Sequence, residues 1–122
     1  MQDGFIKVAA GTPEIRVADC VYNAQACLSL LHQAAAEGVK VLCLPELCLT
    51  GYTCGDLFLQ DALLQGAEDA LRSLLEGSKD LDLLAVVGVP VRYNQKLFNC
   101  AAVFCRGALL GLVPKIHLPN YT

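Results

Sequence analysis

Apolar residues recur along this chain with two periods, and the period switches at turn-forming residues. Residues 5–13, FIKVAAGTP, hold an apolar stretch closed by Gly-Thr-Pro, which predicts a strand. Asp19 stands as an N-cap candidate before residues 20–37. There LSLLHQAAAEG places apolar residues at helical spacing and ends on Gly38, a glycine suited to the position just past a helix. KVLCLP (40–45) has almost no polar residue, the pattern of a short strand covered on both faces. TGYTCGD (50–56) reads as a loop. Residues 61–78 form a second amphipathic pattern, with Leu63, Leu64, Ala67, Leu71, Leu74 and Leu75 on one side. LLAVVGVPV (83–91) predicts another buried strand and RYNQK (92–96) a turn. Residues 97–115 predict a two-stranded hairpin reversing near Arg106-Gly107.

The order β-α-β-α-β-β-β mixes crossovers with a hairpin. It predicts an α/β domain whose sheet becomes antiparallel toward its end. No internal repeat, linker or low-complexity segment interrupts it. The last stretch, KIHLPNYT, carries no closing helix or strand, and the final strands hold apolar surface that the other elements do not obviously cover. The chain is therefore expected to be a piece of a larger domain.

Composition sharpens this picture. At 122 residues the chain suits one domain, and 55% hydrophobic against 17% charged residues argues against disorder. Such a chain hides surface on more than one side, within a sheet or against other chains. Nine basic and twelve acidic residues give a formal charge of −3 with no basic stripe, so neither nucleic acid nor an anionic membrane is an expected partner. No run approaches the ~20 apolar residues of a membrane span. MQDGFIKVAAGTPEIR lacks the basic start and long apolar stretch of a secretory signal, so the expected location is cytoplasmic. The seven cysteines (20, 27, 43, 48, 54, 100, 105) are odd in number and form no C-x-x-C. Most lie in apolar runs and are expected to be buried reduced thiols. The spacing of Cys43, Cys48 and Cys54 fits no common zinc pattern, so no metal site is expected.

Two charged residues stand apart. Glu46 is the only charge between Val41 and Gly55, and it follows Pro45 at the end of an apolar run. Lys115 follows Pro114 at the end of another, in which Arg106 is the only charge from Leu97 onward. In a sheet built from these strands both would emerge at one edge, where open α/β sheets place their ligands. A carboxylate in an apolar pocket suits a general base, and an ammonium beside it can steady an oxyanion. Together they would serve acyl chemistry once a nucleophile is added. A purely structural ion pair is the alternative reading of the same pattern.

These segments resemble a known family. LCLPELCLTGY resembles the first signature of the carbon–nitrogen hydrolase (nitrilase) superfamily, and GLVPKIHLPNY resembles the second. VVGVPV followed by LFNCAAVFCRGALLGLVPK is similar to the segment between them. PELCLTGYTCGDLF with PKIHLPNY is similar to the glutaminase domains of the glutamine-dependent NAD synthetase family. The resemblance implies an α-β-β-α sandwich, of which residues 1–122 would be the N-terminal part, in a homo-oligomeric enzyme. It implies hydrolysis of glutamine, with the ammonia channelled to a synthetase domain that uses ATP to convert deamido-NAD to NAD. ATP, magnesium and deamido-NAD sites would belong to that other domain, and no cofactor is expected on this segment.

Carried over position by position, the resemblance makes Glu46 the general base, Lys115 the oxyanion-side cation and Tyr121 a contact to the glutamine substrate. Tyr121 also reads as an ordinary loop aromatic. Tyr52 and Phe58 suit pocket lining or simple packing. The family's nucleophilic cysteine lies C-terminal to the lysine, so it is expected to be absent here and the segment inactive alone. Cys54, in YTCGD, and Cys48 are the nearest substitutes, but both fit packing better. His32 reads as a surface or interface residue, and a dyad using His117 is a rival mechanism. A stand-alone amidase, or an assembly module that keeps the fold without the chemistry, are the alternative functions.

Overall fold

Five strands and two helices organise residues 4–51 and 61–115, the portion described by the structure, which is a computed structural model. They follow the predicted order: β1 (Val8–Ala10), α1 (Cys20–Ala36), β2 (Val41–Cys43), α2 (Asp61–Gly77), β3 (Leu84–Tyr93), β4 (Lys96–Cys105) and β5 (Ala108–Pro114). The helix ends follow local chemistry. Asp19 caps α1 by accepting the Tyr22 N–H at 3.1 Å. At the other end Gly38 takes φ +81, so that its N–H reaches the Ala35 carbonyl and the Val39 N–H reaches that of Ala34. Glycine is at ease in this left-handed turn.

The strands form one sheet in the order β1-β2-β3-β4-β5. β1, β2 and β3 are parallel, and β3-β4 and β4-β5 are antiparallel. Both antiparallel connections are two-residue turns with positive φ at each position, Asn94-Gln95 and Arg106-Gly107. That geometry matches the twist of the flanking strands. A bulge between Val103 and Phe104 breaks the β4–β5 register once.

Two successive crossovers of one hand, stepping the same way across the sheet, place both helices on the same side. Alternate strand residues then enter one core. Leu42, Ala85, Val87, Val89, Cys100, Ala102 and Phe104 pack with Cys27 and Leu31 of α1 and Leu71 and Leu74 of α2. The opposite face is not covered by the described residues. Val8 and Val113 are exposed on it, as are Ala10 and Cys43. Within the described residues β2 is thus covered on one face. An all-apolar strand records that both faces avoid water, but not which segment covers each. The cysteine expectation divides the same way: Cys20, Cys27, Cys48 and Cys100 are buried, Cys105 is partly buried, and Cys54 lies outside the described residues.

Candidate active site

Glu46 owes its place to an elbow after β2. The Leu44 N–H still bonds across to the Val86 carbonyl at 2.8 Å, and Pro45 then ends the strand. The chain turns sharply: Leu47 has φ +53, which costs a non-glycine residue roughly 1–2 kcal/mol. Its surroundings fix the turn. The Leu47 carbonyl accepts from Gly51 N–H at 2.8 Å and Thr50 N–H at 3.2 Å, and Leu49 N–H reaches the Gly88 carbonyl at 3.2 Å. Leu47, Cys48, Leu49 and Thr50 are all buried, leaving Glu46 as the exposed residue of the elbow.

Two further residues set the elbow's height above the sheet. A Cβ at Gly88 would stand 2.1 Å from the Leu47 nitrogen and 2.7 Å from the Glu46 carbonyl carbon. The elbow therefore lies directly on β3, and any larger residue would lift it. Asn23 of α1, fully buried, ties it to the loop before the helix. Its amide donates to the carbonyls of Arg16 at 2.7 Å and Leu49 at 3.1 Å, and its oxygen accepts the Arg16 N–H at 2.8 Å. Both N–H groups and the oxygen of that buried amide thus have named protein partners.

Lys115 arrives from the other side. Its backbone N–H bonds to the Asn99 carbonyl at 2.8 Å, extending the β4–β5 ladder by one residue. Its Nζ lies 2.9 Å from Glu46 Oε1. Asn99 Nδ2 donates to the same oxygen. Three residues, at positions 46, 99 and 115, thus converge at one rim of the uncovered face. They line a cleft of about 340 Å³ with Cys43, Val86, Gly88, Ala101 and Val113. The Glu46 side chain is 35% exposed and that of Lys115 46%. Among the described residues, then, this is a partly solvated pair in an apolar-walled cleft, and Glu46 is less enclosed than its sequence context suggests. The ammonium and the amide thus share one carboxylate oxygen.

Sequence reasoning missed Asn99 and Gly88. Asn99 is the one polar residue in an otherwise apolar strand segment, LFNCAAVFC, and that is the signal it offered. Gly88 lies inside an apolar strand, and its contact with the elbow is purely tertiary. Tyr52, Cys54, Phe58, His117 and Tyr121 lie outside the described residues. His32, exposed on α1, makes a 3.2 Å contact with the Gly77 carbonyl, remote from the cleft.

The cysteines near the elbow are packing groups or cleft lining. Cys48 points into the helix-side core, 3.9 Å from Cys27, and its sulfur accepts the Gly88 N–H at 3.4 Å. The hydrogen bond with Cys48, then burial, raise the Cys27 thiol above its ordinary range. Burial raises Cys100 as well. Among the described residues no group of three or more His, Cys, Asp or Glu side chains is placed to hold a metal ion, and no helix is long and apolar enough to cross a membrane. A larger concavity of about 790 Å³ lies on the helix side, between α2 and strands β3 and β5. Its charged rim includes the Arg92–Asp61 and Arg72–Glu68 ion pairs, which are exposed surface pairs of small energetic weight. Glu46, Asn99 and Lys115 lie in the smaller cleft.

Residues 7–122 match the carbon-nitrogen hydrolase family, and the chain belongs to that family. Its sequence is 42% identical over 120 residues to the glutamine-dependent NAD(+) synthetase of Mycobacterium tuberculosis, covering 98% of this chain and 18% of that protein. It is 34% identical over 106 residues to the enzyme of the same name from Aquifex aeolicus, covering 87% of this chain and 18% of that protein. In three dimensions it superposes on the crystal structure of a glutamine-dependent NAD(+) synthetase from Cytophaga hutchinsonii with TM-score 0.87 and 30% identity, over 94% of this chain and 20% of that one. An amidase from Nesterenkonia sp. shares the fold, with TM-score 0.81 at 18% identity over 99% of this chain and 46% of that one. The fold is thus that of the nitrilase superfamily, to which the described residues contribute one helical layer and one sheet. The chain spans about a fifth of the length of the synthetases it matches.

Proposed function

We propose that this chain is part of the glutamine-hydrolysing domain of an enzyme that amidates deamido-NAD to NAD, using ATP and the ammonia released from glutamine. The observation that carries the reading is the 2.9 Å contact between Glu46 and Lys115, two residues 69 positions apart, inside a cleft of a carbon–nitrogen hydrolase fold. The likeness to synthetases named for glutamine supports glutamine as the substrate over that of a general amidase.

In this reading a thiol supplied by another part of the polypeptide attacks the glutamine amide carbon. Glu46 takes the thiol proton as the sulfur–carbon bond forms, and Lys115 steadies the negative charge that gathers on the carbonyl oxygen. Protonated Glu46 then gives that proton to the departing nitrogen as the carbon–nitrogen bond breaks, releasing ammonia and leaving a thioester. Water, deprotonated by Glu46, cleaves the thioester to glutamate, and the proton returns to the thiol. Tyr121 would contact the substrate. ATP, magnesium and deamido-NAD would bind elsewhere in the polypeptide, and the working enzyme would be a cytoplasmic homo-oligomer.

Glu46→Gln in the full-length protein tests this. Glutamine-supported NAD formation should fall by about 10²–10⁴-fold, the usual worth of a positioned general base, while formation supported by added ammonium should persist. Unchanged glutamine-supported turnover would refute the catalytic reading and favour an assembly module of the same fold.

A further inference from the structure

We propose that Asn99 is a positioning residue that sets Glu46 and Lys115 in register with each other. This rests on the glutamine-hydrolysing reading above. Asn99 touches both partners through different atoms. Its carbonyl accepts the Lys115 backbone N–H at 2.8 Å, and its side-chain amide donates to Glu46 Oε1, the oxygen that also receives Lys115 Nζ at 2.9 Å. One residue of β4 thus spans the gap between the elbow after β2 and the end of β5. No backbone hydrogen bond between the elbow and β5 is needed to hold them together.

The side chain's placement follows from the sheet. Asn99 pairs with Pro90 across β3, and its neighbour Cys100 pairs with Pro114 across β5. Cys100 faces the helix-side core, so Asn99 faces the opposite side, where the cleft lies. Elsewhere along β4 that face carries the apolar residues Ala101 and Val103. A carboxamide there is out of keeping with packing alone. Its amide adds a hydrogen bond to a charged acceptor, stronger than one between neutral groups, and restrains the rotation of the carboxylate without adding charge. A base held in this way meets its proton in one orientation, which lowers the barrier of the chemical step rather than the affinity for substrate.

The test compares Asn99→Leu and Asn99→Asp in the full-length protein. Both nearly preserve the shape of the side chain, and both remove the donor. Glutamine-supported kcat should fall about 10- to 100-fold in each, with the KM for glutamine within about threefold of the parent. Aspartate, which sets a second carboxylate against Glu46, should be at least as impaired as leucine despite its closer shape. A packing role predicts the reverse order. Ammonium-supported turnover should be retained in both. Glutamine-supported kcat within threefold of the parent in both variants would overturn the inference. So would parallel loss of glutamine- and ammonium-supported turnover, which would mark Asn99 as a structural residue of the sheet. Glu46→Gln, run in the same assay, separates the two readings. If it stays active, the glutamine-hydrolysing reading fails; if it alone is impaired, only the role of Asn99 fails.

Discussion

Two ion-paired clusters sit at opposite ends of the same strands, and they differ in what holds them. At the end where β2 and β3 begin, Asp82 accepts Lys40 at 3.0 Å and Arg106 at 2.9 Å. Asp82 and Arg106 are exposed and Lys40 is half-buried, and they reach one another from strand starts and a hairpin turn. At the other end Glu46 accepts Lys115 and Asn99. There the carboxylate stands on an elbow whose next four residues are buried, pressed against Gly88 and tied to Asn23. Similar distances therefore mean different things. The first pair is held by its own attraction in water, which is weak. The second is placed by packing that would persist if the attraction were removed. Positioned charge, more than charge itself, is what catalysis requires.

The contrast can be broken at several points. The largest effect is expected for Lys115→Met in the full-length protein, with glutamine-supported turnover falling about 10²–10³-fold and ammonium-supported turnover retained. A loss under threefold would place the oxyanion charge elsewhere. Gly88→Ala comes next. Its added carbon would meet backbone, which cannot yield as a side chain does. A stability loss of about 1–3 kcal/mol by urea unfolding is expected, along with reduced glutamine use. Wild-type behaviour in both would show that the elbow's seat is loose. Asn23→Ala should cost about 1–3 kcal/mol, because it leaves the buried Leu49 carbonyl and the part-buried backbone N–H and carbonyl of Arg16 without their partner. A neutral result would mean that water replaces the amide there.

The smallest effect belongs to the other end of the sheet. The guanidinium of Arg106, then the ammonium of Lys40, hold the Asp82 carboxyl down at about 2, against an ordinary 3.8. A depressed carboxylate contributes stability above its unfolded value and loses it as the pH falls through the folded value. The melting-temperature gap between wild type and Asp82→Asn should therefore be small and constant from neutral pH down to about 4. It should close between about 4 and about 2. Glutamine-supported turnover at neutral pH should not change. A gap that widens on acidification would contradict this assignment.

Much of this was legible in the chain. The helices and strands followed from apolar spacing, an aspartate cap and turn-forming residues, all of them local features. Glu46 and Lys115 stood out because each is a lone charge after a proline at the end of an apolar run. Their proximity is a consequence of sheet order, which the β-α-β-α-β-β-β pattern implied. Asn99 and Gly88 were not legible. A single asparagine in a strand and a glycine in another acquire their roles from what folds against them, and periodicity carries no such information. Which face of β2 the two helices cover escaped for the same reason, since an apolar strand does not say which segment will cover each face.

The most direct measurement is a double-mutant cycle on the full-length protein: Glu46→Gln, Lys115→Met and the two together, read as glutamine-supported kcat/KM with ammonium-supported turnover as the control. If the two residues act on one reacting centre, the double variant should be about as slow as the slower single variant, far from the product of the two losses. Losses that simply multiply would mean that Glu46 and Lys115 act independently, and that their 2.9 Å contact is an ion pair like the one at the far end of the sheet.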